Sequence, residues 1–87
     1  MDGNQKYKLR HAAGKYWLLD MEQKDGTYRA PVATNETGAL ILENYFRTKD
    51  PSAVAQVLRD VYEIEFEEAL ADVKEFLSQI RKQGVEL

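Results

Sequence analysis

The stretch that decides the fold is ATNETGALILENYF, residues 33–46, which opens a helix in the middle of the chain. Asn35 is a good N-cap, and Glu36 follows in the first turn, where a negative charge suits the helix dipole. Apolar residues then recur at three- and four-residue spacing and predict a buried stripe: Ile41, Leu42, Tyr45 and Phe46. This stretch therefore predicts a joint, that is, a boundary between a first part without helix signals and a second part that is helical.

The residues before this joint read as strands. KYKLRHA (6–12) alternates, so that Tyr7, Leu9 and His11 share one face and a basic face lies opposite. KYWLLDM (15–21) is rich in aromatic residues and predicts a second strand. Because a short loop with Gly14 joins the two runs, they predict a hairpin.

A third strand is predicted at YRAPVAT (28–34), after the loop EQKDGT (22–27) with its Asp-Gly turn. Pro31 has no N–H and cannot lie in the middle of a sheet. We therefore expect this strand to be an edge strand or to carry a bulge.

Two more helices follow the joint. Asp50 caps the second, Pro51 suits its first position, and Tyr62 closes it. Its predicted inner face consists of Val54, Val57, Leu58 and Val61. The third helix is predicted from Phe66 to about Gln83, with Gly84 as the residue that ends it. Its predicted buried stripe consists of Phe66, Leu70, Val73, Leu77 and Ile80. Strands followed by helices predict an α+β fold, a three-stranded antiparallel sheet followed by three helices.

Composition limits the possible functions. The 87 residues predict one domain, residues 1–87, and the lack of cysteine leaves hydrophobic packing to hold it. No apolar run approaches the roughly 20 residues of a membrane span, so we expect a soluble, cytoplasmic protein without membrane contact. The net charge of −3 argues against nucleic-acid binding, which depends on basic residues. The basic first strand and the acidic residues 60–75 are explained either as solvated faces or as a polarised surface that orients a charged partner.

The sequence contains no recognisable catalytic constellation. His11 is the single histidine, and no cysteine could complete a metal site with it. Ser52 and Ser78 lie in predicted helices and do not neighbour His11 in the predicted layout, and no glycine-rich phosphate loop occurs. We therefore predict a binding module rather than an enzyme, with no cofactor and no metal.

The physical candidate for a bound partner is a peptide. A sheet edge presents unpaired N–H and C=O groups that can template an added strand. The third strand, with small Ala30 and Ala33, and the apolar side of the third helix predict a groove. Phe76, beside the main stripe of that helix, is explained equally by the core and by the groove.

The chain resembles the PqqD-like family, named for pyrroloquinoline-quinone biosynthesis protein D. The matching pattern runs from Asn35-x-Thr37-Gly38-x-x-Ile41-Leu42 through a capped helix ending at Tyr62. It continues with Asp72-Val73, Phe76-Leu77, Ile80 and Gly84-Val85, and the strand texture YKLRHAAGKYWLL is also similar. The resemblance covers nearly the whole chain, and it is carried by the ordered set of motifs at this spacing.

The resemblance implies a winged-helix-like fold and a non-catalytic peptide chaperone. Such a domain binds the leader of a precursor peptide as an added strand and presents it to a modifying enzyme, often a radical S-adenosylmethionine protein. The peptide-binding residues that it implies here are Tyr28, Arg29, Ala30, Pro31, Val32, Ala33, Ala69, Asp72, Val73, Phe76 and Ile80. The loop 22–27 looks longer than usual, and Pro31 interrupts the binding strand.

Three alternatives remain open at this stage. A winged helix can read DNA with its third helix, but the acids of that helix, such as Glu67 and Asp72, oppose phosphate. A purely structural subunit of an enzyme complex is the second alternative, and an enzyme is the third. For the peptide hypothesis, we expect Val73→Asp or Phe76→Asp to abolish peptide binding with the fold retained.

Overall fold

The computed structural model describes residues 6–21 and 30–87 and confirms the α+β class. In chain order the elements are β1 (Tyr7–Ala12), β2 (Lys15–Asp20), β3 (Val32–Thr34), α1 (Glu36–Thr48), α2 (Pro51–Tyr62) and α3 (Phe66–Lys82). The three strands form one antiparallel sheet in the order β1-β2-β3. The chain divides into two compact units, Met1–Ala39 with the sheet and Leu40–Leu87 with most of the helical part.

A two-residue turn builds the predicted hairpin. Ala12 lies opposite Lys15, and both turn residues have positive φ, 55° at Ala13 and 75° at Gly14. Two left-handed residues in succession match the right-handed twist of the flanking strands. A methyl group at Gly14 would meet no atom within 4 Å, so the backbone conformation, and not space, favours glycine there.

The sheet has one covered face and one basic face. Tyr7 and Leu18 are buried on the covered face and Leu9 is half-buried there, whereas Lys8 and Arg10 are exposed on the other. This alternation confirms the predicted face of β1 near its start. His11 continues the covered face in register but is itself exposed, and its ring stacks on Tyr16 with 4.3 Å between ring centroids.

The third strand is shorter than predicted in its described part. It begins at Val32, so Ala30 and Pro31 precede it rather than belong to it. Pro31 therefore does not interrupt the strand. Of the two predicted possibilities, an edge strand or a bulge, the order of the described strands shows the edge position. The predicted loop 22–27 and the strand residues Tyr28 and Arg29 lie outside the described residues.

Side-chain caps begin the first two helices as the sequence predicts. The Asn35 carboxamide oxygen accepts the Gly38 N–H at 2.8 Å, and its backbone carbonyl accepts the Ala39 N–H at 2.9 Å. The Asp50 carboxylate accepts the Ser52 N–H at 3.0 Å. These bonds satisfy N–H groups that have no partner inside the helix.

The helical unit has its own apolar core. Its fully or nearly fully buried members come from all three helices: Ile41, Tyr45, Val54, Ala55, Leu58, Ala69, Val73 and Leu77. The predicted inner faces of α1 and α3 are thereby confirmed in their main positions. Val61 is an error of the prediction, because its side chain is 56% exposed. The spacing of a stripe marks a helix face, but it does not tell how far along that face other residues cover it.

The end of α3 is a Schellman motif, as the position of Gly84 predicts. Gly84 has φ 95°, its N–H donates to the Arg81 carbonyl, and the Val85 N–H donates back to Ile80. This pair of bonds satisfies carbonyl groups at the helix end. Val85 is buried, which adds the apolar contact that usually accompanies the motif.

Candidate functional site

The outer edge of β3 is the first of two candidate surfaces, and it lies in the unit Met1–Ala39. β3 pairs with β2 on one side, and no segment within residues 6–21 or 30–87 pairs with its other side. Ala33 is exposed, whereas Val32 and Thr34 are half-buried on the covered face of the sheet. An accessible strand edge with a small exposed side chain can accept a further strand.

Trp17 is the cross-strand neighbour of this edge. It lies opposite Ala33 in register, on the face of the sheet that also carries Arg10. Its indole N–H donates to the Ala12 carbonyl of β1 at 3.1 Å, which directs the polar edge of the ring toward β1. The sequence alone did not predict this register, because the pairing of β2 with β3 depends on the geometry of the loop between them.

The face of α3 is the second candidate surface, in the unit Leu40–Leu87, and most of it is buried. Ala69 and Val73 are 0% exposed, and Ile80 is 3% exposed. A guest chain can touch such residues only if the helices rearrange. The expectation that Val73→Asp retains the fold does not hold for so deeply buried a position, because an unpaired carboxylate there is costly.

Asp72 and Phe76 are the accessible members of the predicted α3 face. Asp72 is exposed, and Phe76 is half-buried and packs against the core of the helical unit. Phe76 thus combines the two explanations that the sequence left open, since one part of its surface is packed and another is available. Asp72 and Phe76 are four residues apart, so they are neighbours along one side of the helix.

Acidic residues surround the accessible part of α3. Glu68, Asp72 and Glu75 are all exposed. Glu68 lies one turn before Asp72 and therefore continues the same row toward the start of the helix. This row places negative charge on the accessible side of α3, beside the apolar side chain of Phe76. Such an arrangement is complementary to a segment that carries a basic residue next to an apolar one.

The histidine and the possible metal ligands of the described residues lie apart from one another. His11 is exposed at the end of β1, with Tyr16 against its ring. Among residues 6–21 and 30–87, no three His, Cys, Asp or Glu side chains come together as metal ligands. No helix of the described chain is both long and apolar enough to cross a bilayer.

The comparison with protein families supplies the identification. Residues 9–85 match the family model described as coenzyme PQQ synthesis protein D, PqqD. This chain belongs to the PqqD family. The resemblance predicted from the sequence motifs is confirmed, and the match extends over nearly the whole chain. PqqD proteins are non-catalytic accessory proteins of PQQ synthesis that act with a precursor peptide and an enzyme. No curated protein and no solved structure matches the chain.

Proposed function

We propose that this protein is a peptide chaperone that captures the leader of a precursor peptide by strand addition on β3. The observation that carries the proposal is the outer edge of β3, which pairs with no strand among residues 6–21 and 30–87 and carries exposed Ala33, in a chain of the PqqD family. Main-chain hydrogen bonds to such an edge give affinity, and alternate side chains of the guest give specificity.

Separately from the strand addition, we propose that α3 of the other unit offers its own contact surface to the precursor through Phe76 and Asp72. Phe76 offers apolar surface, and the acids beside it favour a guest with Lys or Arg next to an apolar residue. Since exposed charges are screened by salt, we expect the affinity to fall as ionic strength rises.

The bound leader is then presented to a modifying enzyme, for which we propose a radical S-adenosylmethionine protein. In this role the domain performs no chemistry of its own. It raises the effective concentration of the precursor at the enzyme, because binding of the second partner becomes intramolecular. The proposed location, the cytoplasm, is where such a precursor would be synthesised.

The test is a titration with a synthetic peptide that has the sequence of the short precursor encoded beside this gene. Binding is measured by anisotropy of a fluorescent label on the peptide. We expect saturable binding that Phe76→Asp weakens at least about tenfold, in line with the loss of an apolar contact plus a buried charge.

Ala71→Asp is the matched control, because it adds the same carboxylate to an exposed position of α3. It should change the affinity by no more than about twofold. Absence of binding by the unaltered chain would contradict the proposed function. Equal affinities of the Phe76 and Ala71 variants would remove α3 from the site and leave β3 alone.

A further inference from the structure

The hydrogen-bond alternation of the sheet decides which backbone groups of β3 face outward. The Met21 N–H donates to the Lys6 carbonyl at 2.7 Å, and these residues extend the register in which Tyr7 lies opposite Asp20. Antiparallel partners alternate between hydrogen-bonded and non-hydrogen-bonded pairs. Every second residue of β2, starting from Met21, therefore directs its backbone groups toward β1. These residues are Leu19, Trp17 and Lys15.

The other residues of β2 then point toward β3. Leu18, opposite Val32, and Tyr16, opposite Thr34, form the hydrogen-bonded pairs of the second ladder. Trp17 and Ala33 are consequently a non-hydrogen-bonded pair. Because the backbone groups of Ala33 are not used by β2, both its N–H and its C=O point out of the sheet.

The outward edge is limited on both sides of Ala33. Pro31 has no N–H, so it offers at most a carbonyl. The backbone carbonyl of Asn35 already accepts the Ala39 N–H at 2.9 Å. Within the described part of this edge, Ala33 is thus the residue that offers both a donor and an acceptor to a further strand.

We propose that Ala33 fixes the register of the guest peptide and that Pro31 ends its pairing toward the start of β3. This inference rests on the proposed function and goes further, because it names the backbone groups that the guest must match. In either strand direction, the guest bonds both groups of Ala33. The guest therefore needs a short extended stretch without proline at the paired position, and most of its specificity comes from side chains.

The opposite edge of the sheet provides a built-in comparison. By the same alternation, the backbone groups of Leu9 and His11 on β1 point outward. β1 is longer than β3 and contains no proline, but exposed Lys8 and Arg10 line it. Charged side chains of this kind are typical of edges that are protected from pairing.

The alternation is testable on the free chain by amide hydrogen exchange followed by NMR. We expect the Ala33 amide to exchange at least about tenfold faster than those of Val32 and Thr34, which bond to β2. Addition of the neighbouring-gene precursor peptide should slow exchange at Ala33 and not at His11. Protection of Ala33 in the free chain, or bound peptide that leaves Ala33 unprotected, would overturn the inference.

A pair of proline variants tests the same groups by affinity. Ala33→Pro and His11→Pro each remove one outward N–H from an exposed edge position without removing a bond of the sheet. We expect Ala33→Pro to weaken peptide binding about tenfold or more and His11→Pro to leave it within about twofold. Thermal unfolding followed by circular dichroism verifies that both variants are folded.

The outcomes separate the two levels of the proposal. If the unaltered chain does not bind the peptide, the proposed function fails. If it binds and only His11→Pro weakens binding, strand addition survives on β1 and the role of Ala33 is wrong. Pro31→Ala restores an N–H beside the guest and should tighten binding about three- to tenfold. An unchanged affinity would show that Pro31 does not end the pairing.

Discussion

Replacement of Val73 by Asp tests whether the inner face of α3 is core or part of the binding surface. Val73 is 0% exposed and belongs to the core cluster of the helical unit. Loss of the buried valine side chain costs about 1.5–3 kcal/mol of unfolding free energy. A buried carboxylate without a partner has its pKa raised by roughly 3–5 units, so that it is largely protonated in the folded form at pH 7, and this shift costs about 4 kcal/mol more at that pH.

The sum, about 5–7 kcal/mol at pH 7, is comparable with the whole stability expected of 87 residues, about 4–13 kcal/mol. We therefore expect Val73→Asp to be largely unfolded at pH 7. The sign of the pH dependence follows from the raised pKa of the folded form. The destabilisation should be smallest below about pH 4, where the carboxyl is protonated in both states, and should grow as the pH rises.

The assay is urea unfolding followed by circular dichroism of the helices, at pH 7 and at pH 4. Ala71→Asp is again the matched control, since it places the same side chain two residues away at an exposed position. It should cost only about 0.7 kcal/mol through helix propensity. If the two variants unfold within about 1 kcal/mol of each other at pH 7, Val73 is not in the core, and the reasoning about α3 is wrong.

Three further predictions concern residues at the ends of the helices, and each is measured by urea unfolding against the unaltered chain. Asn35→Ala removes the cap bond to the Gly38 N–H and should destabilise by about 1 kcal/mol; no change would mean that the cap does not form in solution. Gly84→Ala forces a side chain into a left-handed conformation at φ 95° and should cost about 1–2 kcal/mol, which a neutral result would contradict. Glu63→Gly relieves the left-handed φ of 56° at the end of α2 and should stabilise by up to about 1 kcal/mol, whereas destabilisation would show that the Glu63 side chain is needed.

Local rules allowed the sequence to predict most of the helical elements. The predicted helix ends agree with the structure at Asn35, Asp50 and Gly84, because caps and C-terminal glycines depend on a few neighbouring residues. For the same reason the hairpin at Gly14 and the span of α3 agree with the structure. The helix ends and the hairpin turn depend mainly on residues that are close together in the sequence.

The predictions that were wrong concern burial, which depends on how the helices pack against one another. Ala69 was predicted to contact the peptide, but it is fully buried in the same core cluster as Ala55. Two small residues in one cluster of α2 and α3 are typical of helices that approach closely, and spacing alone cannot predict how closely they approach. Val61 was predicted to be buried but is exposed, because the spacing of apolar residues does not show where along a helix the neighbouring elements stop covering it.

The candidate site was predictable only in outline. The sequence predicted an edge strand or a bulge from Pro31, and β3 does lie at an edge among the described strands, although Pro31 precedes it and does not cause this position. The direction in which the Ala33 groups point required the register of both ladders, and that register depends on the pairing of β2 with β3. On α3, exposure separates Asp72 and Phe76 from Ala69, Val73 and Ile80, which a helical wheel alone does not distinguish.

The central claim is that the guest joins the sheet beside β3, and contacts between the two backbones test it most directly. The measurement is an isotope-edited NMR experiment on the labelled chain with the unlabelled precursor peptide. The account predicts cross-strand contacts from peptide backbone protons to Val32, Ala33 and Thr34. Saturable binding with backbone contacts along β1 only, or with none to the sheet, would contradict it.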